Sequence, residues 1–285
     1  MISETTYHRP DSLDQACNLL SENPEAILLS GCQSLGLLSK EGIVSLDTII
    51  DLNRISELRE ISYNDGYLRI GSLTTHRDIE TSQTVQTHLP ILSTAAKQIA
   101  DVQIRNAGTI GGACAYADPT ADYPPVLMAT NATVHSVSAT DSFEYTTRDG
   151  FFVDYYQSAI GPEEIITSIN IPISKNAGYG FEKLAYRKND RAIVNVAAIL
   201  ETKNGKCTRS DICVAGVWDT PLIANEAMEF LLGTQLTDDD LSQASTIAQD
   251  EILVCDDPLI SVEYRSAMVG VLSKKALITA REDLP

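Results

Sequence analysis

Nowhere does this sequence hold the roughly 18–20 apolar residues in a row that a membrane-spanning helix needs. Its longest candidates are short pieces such as A-I-V-N-V-A-A-I-L at 192–200. Membrane insertion is therefore not expected. The opening M-I-S-E-T-T-Y-H-R-P lacks the basic start and apolar centre of a secretory leader, so the expected location is the cytoplasm. Cations are also scarce, with 21 Lys and Arg against 39 Asp and Glu and a formal charge of −18. Nucleic acid is excluded as a partner, since its binding relies on basic patches that displace counterions. An anionic ligand would have to be held by local donors against the overall field. Asp238-Asp239-Asp240 and Asp256-Asp257 read as solvated turns or helix starts.

Metal-ligand spacing is missing too. The six cysteines, Cys17, Cys32, Cys114, Cys207, Cys213 and Cys255, form no C-x-x-C and match neither a zinc site nor an iron–sulfur run. Reduced, buried thiols are the expected state. His8, His76, His88 and His135 are dispersed, and no metal is expected on this chain. Familiar nucleotide and hydrolase motifs are absent as well. There is no G-x-G-x-x-G and no G-x-S-x-G. Gly31 and Gly36 have P-loop spacing, but Leu37 and Leu38 stand where lysine and a hydroxyl residue are required.

What is present is an alternation of elements. Leu13, Ala16, Cys17 and Leu20 form a helical stripe capped by Asp11 or Ser12, and A-I-L-L-S and T-I-I-D-L read as short strands. Asn64-Asp65-Gly66 reads as a hairpin turn, and Leu92, Ala95, Ala96 and Ile99 share one helix face. P-P-V-L-M-A is a helix opened by proline, while N-A-T-V-H-S-V-S and E-E-I-I-T-S-I-N-I-P are strands. S-K-N-A-G-Y-G reads as a polar linker. Beyond it F-E-K-L-A-Y, V-N-V-A-A-I-L-E-T and D-I-C-V-A-G-V are expected as three antiparallel strands, with helices from Pro221 onward. The expected units are an N-terminal α/β lobe at 1–55, a second α/β lobe at 56–174, and a sheet-plus-helices domain at 178–285. The fold class is α+β.

Two loops concentrate small residues: S-G-C-Q-S-L-G at 30–36 and A-G-T-I-G-G-A-C-A at 107–115. Glycine lets a ligand approach backbone amides with no Cβ in the way. Successive N–H groups in such turns form anion nests, strengthened where a helix begins. Two loops on separate α/β segments can grip one pyrophosphate from both sides. Amides suit this acidic chain, because they bind phosphate without lysines.

These residues resemble the FAD-binding medium subunit of the molybdenum hydroxylases, the xanthine dehydrogenase, carbon monoxide dehydrogenase and aldehyde oxidoreductase relatives. S-G-C-Q-S-L-G-L-L-S-K looks like that family's A-G-G-x-S-L-x-P-L-x-K loop, and T-I-G-G-A-C-A-Y-A-D-P-T-A-D-Y-P-P its T-I-G-G-N-x-x-x-A-D-P-x-S-D-x-P loop. The likeness continues through L-R-I-G-S-L-T-T-H, K-L-A-Y-R-K-N-D-R-A-I-V-N-V-A-A and P-L-I-S-V-E-Y-R-S-A-M-V-G-V-L, so it covers nearly the whole chain. It implies a vanillyl-alcohol-oxidase-type (PCMH-like) FAD-binding fold of two α/β lobes plus a C-terminal three-stranded sheet with helices.

The resemblance also implies a set of FAD contacts. Leu29, Ser30, Gly31, Cys32, Gln33, Ser34 and Leu35 would lie on one side of the cofactor. Ile104, Gly108, Thr109, Gly111, Gly112, Ala113 and Ala115 would lie on the other, with Ala121 and Asp122 near the ribityl chain. Ile166 would pack near the ring system or adenine, and Lys183 near the pyrimidine edge of the flavin. No residue is implied as an acid or base. The implied role is electron transfer, from two-iron two-sulfur clusters in a small partner subunit to NAD, a quinone or another acceptor. A large partner with molybdenum cofactor would hydroxylate the substrate, in a dimer of heterotrimers. This chain departs from the family pattern at Cys32 (usually glycine), Ala113 (usually asparagine) and Arg191 (commonly aromatic). Two alternatives stand beside this reading. One is a stand-alone flavin oxidoreductase using Tyr186 or Arg187, and the other an assembly subunit that has lost FAD.

Overall fold

The computed structural model describes residues 5–285; Met1–Glu4, which begin the expected N-terminal lobe and the opening searched for a leader, lie outside the described residues. Strand β1 (Thr6–His8), helix α1 (Leu13–Glu22), strand β2 (Ile27–Leu29), helix α2 (Leu35–Lys40) and strand β3 (Thr48–Asp51) form the first layer. Ser12 rather than Asp11 caps α1, its hydroxyl accepting from the Gln15 amide. The strands pair in parallel in the order β1-β3-β2. Ala16, Cys17 and Leu20 of α1 bury against Ile50, Leu52, Ile55 and Leu58. Strand β1 was not foreseen in the sequence. Three residues are too few to show a period, and it exists through pairing with β3.

The middle layer begins with the hairpin β4 (Ile61–Asn64) and β5 (Tyr67–Gly71), turned at Asp65-Gly66 as expected. Short helices follow: α3 (His76–Thr81), α4 (Gln83–His88), α5 (Pro90–Gln98), α6 (Val102–Ala107), α7 (Ile110–Tyr116) and α8 (Tyr123–Thr130). Strands β6 (Thr133–Val137), β7 (Ser142–Thr146), β8 (Phe152–Asp154), β9 (Gln157–Ser158) and β10 (Ile165–Pro172) complete it. Its main sheet is antiparallel, ordered β4-β5-β10-β6-β7. Every residue of α8 is buried, as an apolar helix with no solvent face must be. It lies between this layer and the C-terminal sheet.

That last sheet has four strands, not the expected three: β11 (Ala177–Leu184), β12 (Val194–Lys203), β13 (Lys206–Ala215) and β14 (Leu222–Ile223), all antiparallel. Strand β14 falls within the stretch read as helical; its two residues pair with Cys213 and Val214. Helices α9 (Asn225–Leu231), α10 (Asp238–Glu251) and α11 (Val262–Glu282) follow. The expected linker is corrected as well, because Ala177-Gly178-Tyr179-Gly180 are the start of β11. A Cβ on Gly178 would stand 1.9 Å from the Ala280 carbonyl oxygen, and one on Gly180 2.0 Å from that of Ala276. These glycines let the backbone of α11 lie directly on the strand. Gly180→Val is expected to cost on the order of 3 kcal/mol through overpacking, measured as a lower urea midpoint at unchanged slope.

Candidate cofactor site

A cavity of about 550 Å³ opens where the three layers meet. It is lined by Ser30, Gly31, Cys32, Gln33, Ser34 and Leu35 from the turn between β2 and α2. Ile104, Gly108, Thr109, Gly111, Gly112, Ala113 and Ala115 line it from α6 and α7, and Ala121, Asp122, Ile166 and Lys183 complete the expected set. Leu29 is the exception: it ends β2, half-buried, and is not among the lining residues.

The two glycine-containing segments touch each other. The Thr109 hydroxyl donates to Ser30 Oγ at 3.2 Å and accepts from the Gly112 amide at 3.1 Å, so Thr109 caps α7 and ties the segments together. A Cβ on Gly31 would come within 2.2 Å of the Ala107 carbonyl oxygen, and one on Gly111 within 2.5 Å of Ser72 Cβ. Those positions are small so that chain can pack on chain. Gly112 differs: a Cβ there would meet only the Ser30 and Thr109 hydroxyl oxygens, each at 3.1 Å.

The donors divide unequally between the segments. The amides of Ile110, Gly111 and Gly112 are engaged by Thr74 O, Ser72 O and Thr109 Oγ1. Those of Gly31, Cys32, Gln33, Ser34 and Leu35 donate to no group among the described residues. Consecutive N–H groups with no acceptor among the described residues, at a cavity wall and the start of α2, are donors that an anion can use. Cys32 makes this turn at φ +56°, where a side chain costs about 1 kcal/mol relative to glycine.

Asp122 and Lys183, expected on different parts of a ligand, pair directly. Lys183 Nζ donates to Asp122 Oδ2 at 2.9 Å and to the Gln98 carbonyl at 3.2 Å. Their side chains are 3% and 6% exposed. Burial raises the Asp122 carboxyl above its ordinary value, and the Lys183 ammonium opposes that rise. Among the described residues Asp122 Oδ1 keeps no hydrogen-bond partner, and neither do Ser72 Oγ, His76 Nδ1 or the Tyr123 hydroxyl, all buried in cavity-lining residues. Unpartnered buried polar atoms are costly, so a wall that collects them suits a polar ligand.

Sequence reasoning missed part of the lining. Ser72, Leu73 and His76 come from the L-R-I-G-S-L-T-T-H stretch, whose likeness was noted without any site role. Tyr116, Asp118, Thr120 and Tyr123 lie inside the second quoted loop, and Asn189 and Asp190 follow β11, next to Arg191, which was noted as a departure from the family pattern. The His76 ring lies edge-on to Tyr123, with centroids 5.4 Å apart. Burial, with Arg105 nearby, pulls its pKa down to about 4. Tyr186 and Arg187 do not line the cavity, so the acid–base pair of a stand-alone oxidoreductase is not supplied by them.

Lys183→Met should cost on the order of 3–5 kcal/mol, because it strands a buried carboxylate; Lys183→Met with Asp122→Asn should recover much of that in urea unfolding. His76 has a folded pKa near 4, below its ordinary 6.5. Its contribution is therefore whole above pH 6.5 and is lost as pH falls toward 4, by an amount on the order of 3 kcal/mol. His76→Gln should flatten that part of the stability–pH curve.

Comparison with known proteins finds two family matches that together span most of the chain. Residues 3–174 match the family described as FAD binding domain in molybdopterin dehydrogenase, and 179–280 the CO dehydrogenase flavoprotein C-terminal domain. The nicotine 6-hydroxylase medium subunit of Paenarthrobacter nicotinovorans is 31% identical over 276 residues, covering 96% of each chain. The carbon monoxide dehydrogenase medium chain of Afipia carboxidovorans is 33% identical over 285 residues, also covering 96% of each. Among solved structures, a chain of Cu,Mo-CO dehydrogenase superposes with a TM-score of 0.93 at 32% identity, covering 99% of this chain and 100% of that one. A chain of quinoline 2-oxidoreductase from Pseudomonas putida 86 gives 0.93 at 28% identity, covering 98% and 97%. With an amide-lined cavity, both matching domains and full-length relatives, this chain belongs to the molybdopterin dehydrogenase FAD-binding family and is an oxidoreductase component, an FAD-binding medium subunit of a molybdenum hydroxylase.

Proposed function

We propose that the chain holds FAD in this cavity and acts as the electron-transfer subunit of a three-component enzyme. The observation that carries the reading is the run of five amides, Gly31 to Leu35, that find no acceptor among the described residues at a cavity wall. These amides would hold the pyrophosphate. Gly112 would leave room beside the Ser30 and Thr109 hydroxyls, and Asp122 Oδ1 is a free acceptor for a ligand hydroxyl. Ile166 and Ala113 offer apolar contact for rings, and Lys183 fixes the charge and orientation of Asp122. FAD, when bound, supplies the redox chemistry.

In this reading the chain stands between two-iron two-sulfur clusters of a small partner subunit and an acceptor such as NAD or a quinone. The hydroxylation itself belongs to a large partner subunit with molybdenum cofactor, and two such heterotrimers pair. Full-length likeness to named medium chains of carbon monoxide dehydrogenase and nicotine 6-hydroxylase supports this placement. The six unpaired thiols suit a reducing compartment, the cytoplasm.

The purified chain should show flavin absorption bands near one FAD per chain. Gly112→Val puts branched carbon between the Ser30 and Thr109 hydroxyls and into the cavity. Blocking even one charge-assisted contact to the cofactor should weaken FAD uptake by roughly ten- to a hundredfold. Circular dichroism should show the fold retained, and full flavin occupancy in that variant would refute the assignment.

A further inference from the structure

The segment Asp118-Pro119-Thr120-Ala121-Asp122 passes along the cavity, and each of its five residues is held by the C-terminal sheet unit. Gly216 N donates to Pro119 O at 2.8 Å, Ala192 N to Thr120 O at 3.2 Å, and Asn195 Nδ2 to Ala121 O at 2.9 Å. Lys183 holds Asp122, and Arg191 Nε lies 3.2 Å from Asp118 Oδ2. The first three ties use backbone acceptors and the fourth is buried. Only the fifth is open to water, since the Arg191 side chain is 57% exposed while Asp118 is 9% exposed.

Arg191 also lines the cavity, so it stands at the mouth. Its Nη1 donates to the Tyr156 hydroxyl at 2.9 Å, and Tyr156 packs edge-on to Tyr116 with centroids 4.8 Å apart. Asn189 and Asp190 line the cavity too, in the loop joining β11 to β12. Among the described residues, the hydrogen bonds and ion pairs that leave the 185–191 loop are made by the Arg191 side chain.

We infer that Arg191 is the latch of the flavin cavity: its contacts with Asp118 and Tyr156 hold the 185–191 loop across the mouth, and flavin leaves when that half-exposed pair opens. The inference rests on the proposed cofactor reading. Arg191 is a positioning residue here, acting through the loop. The inner four ties keep the wall in place, while the outer one sets how fast the mouth opens. A half-exposed ion pair is screened by salt, so the latch loosens as ionic strength rises.

The test uses the full chain loaded with FAD, with release followed by flavin fluorescence after dilution and thermal unfolding measured alongside. Release from the unmodified chain should accelerate with sodium chloride. In Arg191→Met, release at low salt should be roughly threefold faster, as expected for losing a half-exposed pair, and should no longer depend on salt. Arg191→Lys should restore the salt dependence, and Tyr156→Phe should give a smaller acceleration with that dependence kept. The unfolding midpoint should stay put in Arg191→Lys and Tyr156→Phe and fall in Arg191→Met, which leaves the Asp118 carboxylate without its cation, so release is compared well below that midpoint. Release from Arg191→Met at the original rate, or with the original salt dependence, overturns the latch alone. Failure of the unmodified chain to take up FAD overturns the cofactor reading and the latch with it.

Discussion

Five consecutive residues, Asp118 to Asp122, run along the cavity and are each held by the C-terminal sheet unit, beside the packing of α8 against β12 and β13. The innermost contact, Lys183 with Asp122, is the one on which the cavity depends. Neither charge is tolerable alone at that depth, and together they require β11 to lie beside the start of α8. The wall of the cavity is consequently part of a domain interface. Disturbing the C-terminal sheet therefore alters the cofactor site although most of that sheet lies away from it. Arg265 extends the same dependence: it is buried in α11 and donates to the Gly216 carbonyl, while the Gly216 amide holds Pro119.

Binding capacity is built from backbone rather than side-chain charge. In the proposed reading the amides of Gly31 to Leu35, which donate to no group among the described residues, supply the donors for a pyrophosphate without calling on lysines. The second glycine run serves a different purpose from the first. Its amides are engaged by Ser72, Thr74 and Thr109, and Gly111 is small because Ser72 occupies the space. One run presents donors, and the other brings the layers close enough for a cavity wall to form. The two departures inside these runs are absorbed locally. Cys32 adopts a left-handed backbone, and Ala113 remains a lining residue. Arg191, the third departure, finds a buried carboxylate and a tyrosine hydroxyl.

Elements whose pattern is local were legible from the sequence. Helix α1 carries its own cap, the Asp65-Gly66 turn specifies its hairpin, and Pro124-Pro125 open α8. Elements that exist through pairing were not legible. Strands β1 and β14 have three and two residues and gain their hydrogen bonds from β3 and β13. Gly178 and Gly180 looked like a linker because glycine marks chain reversals far more often than close helix–strand contacts.

The site divides along the same line. Sequence, through the likeness of its two small-residue loops and the A-D-P-T-A-D motif to the family pattern, determined the 30–35 and 108–122 stretches of the lining, but assigned no site role to the 72–76 stretch. Tertiary structure decided how they act together. Asp122 meets Lys183 across 61 positions and Arg191 meets Asp118 across the domain boundary, while His76 is carried into the wall by α3. Which amides stay free was also settled only in three dimensions. A backbone donor is available to a ligand only when no carbonyl or hydroxyl of the folded chain reaches it, and that depends on neighbours remote in sequence.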